Sequence, residues 1–167
     1  MPSIKLITEI KAPIERVFDL ARSIDAHTAS TSQSKERAVR GRTSGLIEMN
    51  ETVTWEASHF GVKQRLTVKV TDFVRPCVFE DEMISGAFSK MKHKHSFQTQ
   101  DNITVMSDRF EFEAPFGFLG RIAENLFLTK YMKSFLLKRN QELKLMAESE
   151  LWKKFLPNQA EQDDEGN

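Results

Sequence analysis

The chain of 167 residues has one cysteine, Cys77. A lone thiol closes no intrachain disulfide and builds no cysteine-based zinc site, which points to a reducing compartment. Cys77 follows Pro76 at an expected strand start, so a packed thiol is expected there. Charge of one sign is also missing, because 24 Lys and Arg balance 24 Asp and Glu. Four of the acids (Glu161, Asp163, Asp164 and Glu165) follow Pro157, where there is no base, so the rest of the chain carries a surplus of four basic residues. That surplus is spread over outward strand positions and one helix. It reads as a solvated surface and not as the concentrated stripe of a nucleic-acid footprint. No apolar run is long enough to span a bilayer, and the N-terminus has no secretory h-region. Internal repeats, inter-domain linkers and a Gly-Lys-Thr phosphate loop are absent as well. These absences leave a single cytoplasmic domain over residues 1–156, with no nucleic-acid partner and no stable membrane insertion. The acidic tail over 157–167 is short of hydrophobes and is expected to be disordered.

What is present is alternation. From Lys90 to Phe97 the residues Lys90, Lys92, Lys94 and Ser96 fall on one face, and Met91, His93, His95 and Phe97 on the other. Period two means a half-buried strand, and it turns two of the four histidines toward an apolar interior. Other segments follow suit. Ile4–Ile10 reads as a first strand, Ala12-Pro13 opens a helix to about Ala21, and a second short helix spans Ser23–Ser30. The Ser-, Thr-, Arg- and Gly-rich segment from Ser30 to Gly45 reads as a loop. Val53, Trp55, Ala57 and His59 share a face and turn at Phe60-Gly61 into Val62–Val70. Pairing 59 with 62 sets Trp55 opposite Leu66, Glu56 opposite Arg65 and Thr54 opposite Thr67, all favourable cross-strand pairs.

The same logic carries through the next hairpins. After the Arg75-Pro76 turn, Phe79, Asp81 and Met83 face inward. Aligning Met83 with Met91 sets Glu82 against Lys92, Glu80 against Lys94, and Asp81 beside His93. A tight Asp101-Asn102 turn into Ile103–Ala114 then sets Met106 opposite Phe97, Asp108 opposite His95, and Phe110 opposite His93. A slip of two residues exchanges partners and keeps the faces, whereas a slip of one contradicts the alternation. Beyond the loop Ala114–Gly120, a long helix runs to about Leu151. Leu128, Met132, Phe135, Leu136, Leu143 and Met146 form its apolar stripe, with Arg139 in the middle of it.

One strand, two short helices, a run of antiparallel strands and one long amphipathic helix have an economical solution: an α+β domain whose curled sheet lays its concave face against the last helix. Here the sequence resembles the SRPBCC superfamily, the helix-grip fold of START domains and birch-pollen-allergen-like proteins, and within it the bacterial polyketide cyclase/dehydrase-like branch. The resemblance covers roughly residues 3–150. It is carried by Ala12-Pro13, Phe79-x-Asp81-Glu82, Gly86-x-Phe88, His93-x-His95-x-Phe97, Asp108, Pro115-x-Gly117-x-Leu119-Gly120 and Arg139. In that branch the loop before the histidine strand often reads Gly-Pro-Phe with a Trp before the first His, where this chain has Ala87 and Met91. The resemblance implies an internal apolar cavity that takes a small hydrophobic or amphipathic ligand. It does not imply one activity, since the fold hosts many.

The inward polar residues Asp81, His93, His95, Asp108 and Arg139 are the candidate anchor, each expensive to bury without a partner. They either pair with one another (Asp81 with His93, Asp108 with His95) or grip an oxygen of the ligand. In an enzyme the same His and Asp residues would serve as acid and base for a cyclisation or dehydration; in a protein-interaction module the chain would work through its basic outer face or acidic tail, with the interior merely filled. The expected apolar walls are Trp55, Leu66, Phe79, Met83, Phe88, Met91, Phe97, Phe110, Met132, Phe135 and Leu136, with Phe88, Phe116 and Phe118 forming a gate. His27 and His59 have no expected role. His-x-His beside an acid matches part of a metal set, but that spacing arises easily by chance and no further motif reinforces it. No metal and no cofactor are therefore expected.

Overall fold

The computed structural model describes residues 1–115 and 127–159. Phe116, Phe118 and the rest of the glycine loop lie outside the described residues, as do 160–167 of the expected tail. The elements are β1 (Ser3–Ile10), α1 (Ile14–Ala21), α2 (Ile24–Ser30), a 3₁₀ turn (Ser32–Ser34), β2 (Arg37–Gly41), β3 (Thr52–His59), β4 (Val62–Val74), β5 (Val78–Ser85), β6 (Lys90–Gln100), β7 (Ile103–Glu113), α3 (Thr129–Glu148) and α4 (Trp152–Phe155). The strands form one antiparallel sheet in the order β1-β7-β6-β5-β4-β3-β2. Among the described residues no helix is long and apolar enough to cross a membrane.

The three hairpin registers match the reading from cross-strand chemistry. Trp55 faces Leu66, Glu82 faces Lys92, Asp81 faces His93, and His95 faces Asp108. On the outer side Thr54 and Thr67 share a hydrogen bond of 2.9 Å. Glu56 accepts from Arg37 and Arg65, and these bonds hold its carboxyl down to about 2. Residues 37–41 correct the expected loop, because they form the edge strand β2. Its side chains are mostly exposed, so it shows no apolar alternation and is held by backbone pairing to β3 and by the Arg37–Glu56 ion pair. Two smaller corrections concern the ends. Cys77 is exposed rather than packed, and α3 stops at Glu148, with a short α4 following.

α1 caps one end of the concave face. Phe18 meets Phe73, Phe79 and Phe97 edge-on, with ring centroids 5.2–5.5 Å apart. The C-terminal half of α3 closes over this cluster through Leu143, Met146 and Ala147. Helix and sheet are further tied where Lys11 N–H donates to Glu148 (2.7 Å) and Lys144 to the Glu9 carbonyl (2.7 Å). Asp19 on α1 is 1 % exposed and accepts from Arg22 (2.7 Å) and from Arg75 (2.6 Å) across to the β4–β5 turn. The side chain of Gln159, inside the expected tail, also donates to Asp19. Arg22 is buried and extends this network to the Ile47 carbonyl and Glu48.

Asp19→Ala would leave the buried Arg22 guanidinium with the half-exposed Glu48 as its remaining counter-charge. We expect a loss of ~3–5 kcal/mol in urea unfolding, and a clearly smaller loss for Arg75→Ala, whose partner keeps Arg22.

Candidate functional site

Where α1 and the end of α3 fill one half of the grip, the other half stays open. A cavity of about 860 Å3 lies between the concave face of β3–β6, α2 and the first half of α3. The packing of the fold makes this half hollow. Several inward residues of β3 and β4 are short (Val53, Ala57, Val68, Val70) between the larger Trp55, His59 and Leu66, while α3 faces them with Leu136, Met132 and Phe135.

Most of the walls expected from sequence line this cavity. Trp55 and Leu66 do so from β3 and β4; Phe79 and Met91 from β5 and β6; Phe88 and Phe110 from the β5–β6 loop and β7. Met132, Phe135, Leu136 and Arg139 line it from α3. Two apolar positions do not. Phe97 is buried in the packed half against Phe18 and Phe79, and Met83 is partly buried against the neighbouring cluster without reaching the cavity. The expected gate is described only at Phe88, which packs against Phe112 with centroids 5.4 Å apart.

At the inner end, His93 and His95 project from β6 with ring centroids 3.9 Å apart. The partner of both is Asp108, not one carboxylate each. Oδ1 of Asp108 lies 3.0 Å from His93 Nε2 and 2.7 Å from His95 Nδ1. Its Oδ2 accepts from Asn140 Nδ2 at 2.7 Å, and Arg139 Nη1 lies 3.5 Å from Oδ1. Asp108 therefore sits behind the imidazoles and does not itself line the cavity. Burial alone would raise its pKa, but the imidazoles of His95 and His93 hold it well below the usual carboxylate range. His95 moves the other way: burial, and next the neighbouring His93, push it down to about 3.

The proton positions follow. Asp108 is an anion, and a bare nitrogen lone pair 2.7 or 3.0 Å from an anionic oxygen would be repelled. His93 Nε2 and His95 Nδ1 must therefore carry the protons, although the His95 contact is bent away from hydrogen-bond alignment. In a neutral ring the lone pair then lies on the opposite nitrogen, Nδ1 of His93 and Nε2 of His95. Asp81 lines the cavity on the neighbouring strand, 3.9 Å from His95 Nε2, and makes no hydrogen bond among the described residues. Burial pushes its carboxyl upward, offset in part by His93 and Arg139. Arg139 is 3 % exposed and reaches Asn140 Oδ1 and the Ala21 carbonyl only at 3.3 and 3.5 Å. Its Nε has no partner among the described residues.

A second polar group was missed in the sequence. His27, Glu36, His59 and Tyr131 all line the same cavity. His27 Nε2 lies 3.2 Å from Glu36 Oε2 and its ring stacks on Trp55 at 4.2 Å, while His59 Nδ1 and the Tyr131 hydroxyl are 2.7 Å apart. Burial would raise Glu36, but His27, Thr31 and His59 hold it below its ordinary value. Burial also depresses His59 and, with Glu36, raises Tyr131. The signal for His59 was available, since it shares the inward face of Val53, Trp55 and Ala57. No such signal marked Glu36, which sits in the segment read as a loop. Tyr131 and Arg139 are two turns apart on α3, so the two polar groups stand about 12 Å apart along the helix axis.

No family model matches the chain, and no curated protein does. Among solved structures, TTHA0849 from Thermus thermophilus superposes with a TM-score of 0.72 at 18 % identity, over 87 % of this chain and 97 % of that one. This chain has the helix-grip fold. A START superfamily protein from Mycobacterium smegmatis (TM-score 0.65, 12 % identity, 87 % and 97 % covered) shares it. So does the ginseng major latex-like protein 151 from Panax ginseng (0.62, 14 %, 87 % and 97 %). The helix-grip assignment is thus one of architecture: at these identities the chemistry of the site rests on this chain's own residues.

The sign of the pH dependence follows from His95. Its folded pKa of about 3 lies below the ordinary 6.5, so the unfolded chain binds the extra proton between these values. Stability is complete above pH 6.5 and falls as pH drops, by at most about 1.4 kcal/mol per pH unit from this one group. His59 adds a loss of the same sign. Urea midpoints measured from about pH 7 to about pH 5 should fall for the native chain and fall less steeply for His95→Gln, the difference isolating His95.

Proposed function

We propose that this protein reversibly binds a small hydrophobic or amphipathic molecule in the cavity between sheet and α3, with its polar end at the His93/His95/Arg139 cluster. The observation that carries this reading is the cavity itself. Its volume of about 860 Å3 falls in the range of small-molecule sites, roughly 300–1,000 Å3, and its walls are mainly apolar with a few convergent polar atoms. A module working only through its outer face would fill such a space, because hydrophobic stabilisation grows with buried contact. Arg139 and Asp81 line this interior; Arg139 Nε has no hydrogen-bond partner among the described residues, and Asp81 makes no hydrogen bond there, with His95 Nε2 3.9 Å away. A ligand oxygen meets the first and a ligand hydroxyl or amine the second. The second polar group near Tyr131 favours an elongated molecule carrying polar atoms toward both ends.

Acid–base catalysis of a cyclisation or dehydration is the second reading, and one observation favours it. His95 Nε2 is not consumed by a protein hydrogen bond, while Asp108 fixes the opposite nitrogen, an arrangement that orients a base. Against it stands the depression of His95 to about 3, since a general base works best with a pKa near the operating pH. Binding is therefore the preferred function.

Native mass spectrometry of freshly purified protein should show extra mass that is lost on denaturation, and the neutral probe N-phenyl-1-naphthylamine should bind with blue-shifted emission. Ala57 lines the cavity at 7 % exposure, so Ala57→Phe places a ring in the ligand space. That variant should fold yet bind the probe at least ~10-fold more weakly, as loss of most of a buried ligand surface implies. Unchanged probe affinity in folded Ala57→Phe would place the ligand elsewhere.

A further inference from the structure

Asp81, His93 and His95 form an unfinished coordination shell. One carboxylate oxygen of Asp81 and one ring nitrogen of each histidine lie within 4.8 Å of one another. His95 Nε2 and Asp81 Oδ1, at 3.9 Å, are too far apart for a hydrogen bond. Both are acceptors: the proton of His95 is on Nδ1, against Asp108, so Nε2 presents a lone pair to a carboxylate. With Asp81 ionised, two acceptors face each other across a gap in a buried site, and a cation between them, like a proton on Asp81, relieves that repulsion. Two donors each about 2.1 Å from one ion stand at most about 4.2 Å apart, so 3.9 Å is a separation that an ion bridges without rebuilding either side chain.

The surroundings add independent support. Metal-bound histidines usually donate their other ring N–H to a carboxylate, which fixes the tautomer and aims the free nitrogen. Asp108 stands behind both rings: it accepts from His93 Nε2 at 3.0 Å and lies 2.7 Å from His95 Nδ1, off hydrogen-bond alignment, and is itself steadied by Asn140 at 2.7 Å. Two imidazoles and one carboxylate, with the remaining directions opening on a cavity, form a donor set suited to divalent first-row transition ions. Asp81 makes no hydrogen bond to another described residue, so its oxygen can turn to an ion without breaking one.

We propose that Asp81, His93 and His95 bind one divalent transition-metal ion such as Zn(II), Fe(II) or Co(II), with Asp108 as the positioning residue behind both imidazoles and open coordination positions facing the cavity. The site does not depend on the ligand-binding reading. It stands whether or not an organic molecule occupies the rest of the cavity.

Co(II) is the probe. The full chain, freed of metal by chelator and exchanged into metal-free buffer, is titrated with Co(II) and followed by visible d–d absorption and calorimetry. The expected result is one Co(II) per chain. Asp81→Asn and His95→Gln should each weaken binding by more than about tenfold, and Asp108→Asn, which keeps the donors but loosens their aim, by about 10–100-fold. Asp81→Asn removes no hydrogen bond among the described residues, so it keeps the fold and decides the matter if His95→Gln does not fold. Cys77→Ser, which removes the exposed thiol, should leave the titration unchanged. Absence of saturable binding at millimolar Co(II), equal affinity in folded Asp81→Asn, or binding lost in Cys77→Ser would each overturn the proposal.

Discussion

One buried carboxylate ties the helix to the sheet in this protein. Asp108 stands on β7 behind the cavity, where it takes contacts from two imidazoles on β6 and from Asn140 and Arg139 on α3. Asn140 passes the connection on to Thr8 of β1 at 3.2 Å. An unpaired charge at such a depth would be costly, so each of these groups needs the others in place. The position of α3, and with it the depth of the space beneath, is fixed by an electrostatic knot as much as by apolar contact. The orientation of both histidines is set by the same atom.

Around this knot the grip divides in two. On the α1 side, Phe18, Phe79, Phe97 and Met106 pack without exposure to speak of, and the ion-paired Asp19 locks the cap. On the other side, the short inward side chains Val53, Ala57, Val68 and Val70 leave space between the sheet and α3. Stability is concentrated in the first half and vacancy in the second, which lets the protein keep a large cavity without losing its core. Two groups of polar side chains line the hollow half, one around Arg139 and one around Tyr131.

Much of the fold was legible because its signals are local. Strict alternation from Lys90 to Phe97 oriented the side chains of that part of β6, and the tight turns at Phe60-Gly61 and Asp101-Asn102 set their hairpin registers to the residue. The edge strand β2 escaped because an exposed edge needs only its backbone, and its arginines carry no periodicity. The candidate site was legible in membership more than in pairing. His93, His95, Asp81, Asp108 and Arg139 were identified as inward, yet the expected pairing of Asp81 with His93 gave way to a single carboxylate shared by both rings. Facing positions on paired strands fix Cα neighbours, whereas side chains choose partners along diagonals that depend on rotamers.

The sequence alone determined the order of elements apart from β2 and α4, the registers of three hairpins and the faces on which Asp81, His93, His95 and Asp108 lie, since periodicity and turn chemistry act over a few neighbouring residues. Tertiary structure decided the rest. The size of the cavity is a small difference between sheet curvature, helix position and side-chain volume, and no local pattern encodes it. Which histidine nitrogens hold protons depends on where the Asp108 carboxylate comes to rest. The meeting of His27, Glu36, His59 and Tyr131 requires four distant segments to close around one space, and only the folded chain brings them there.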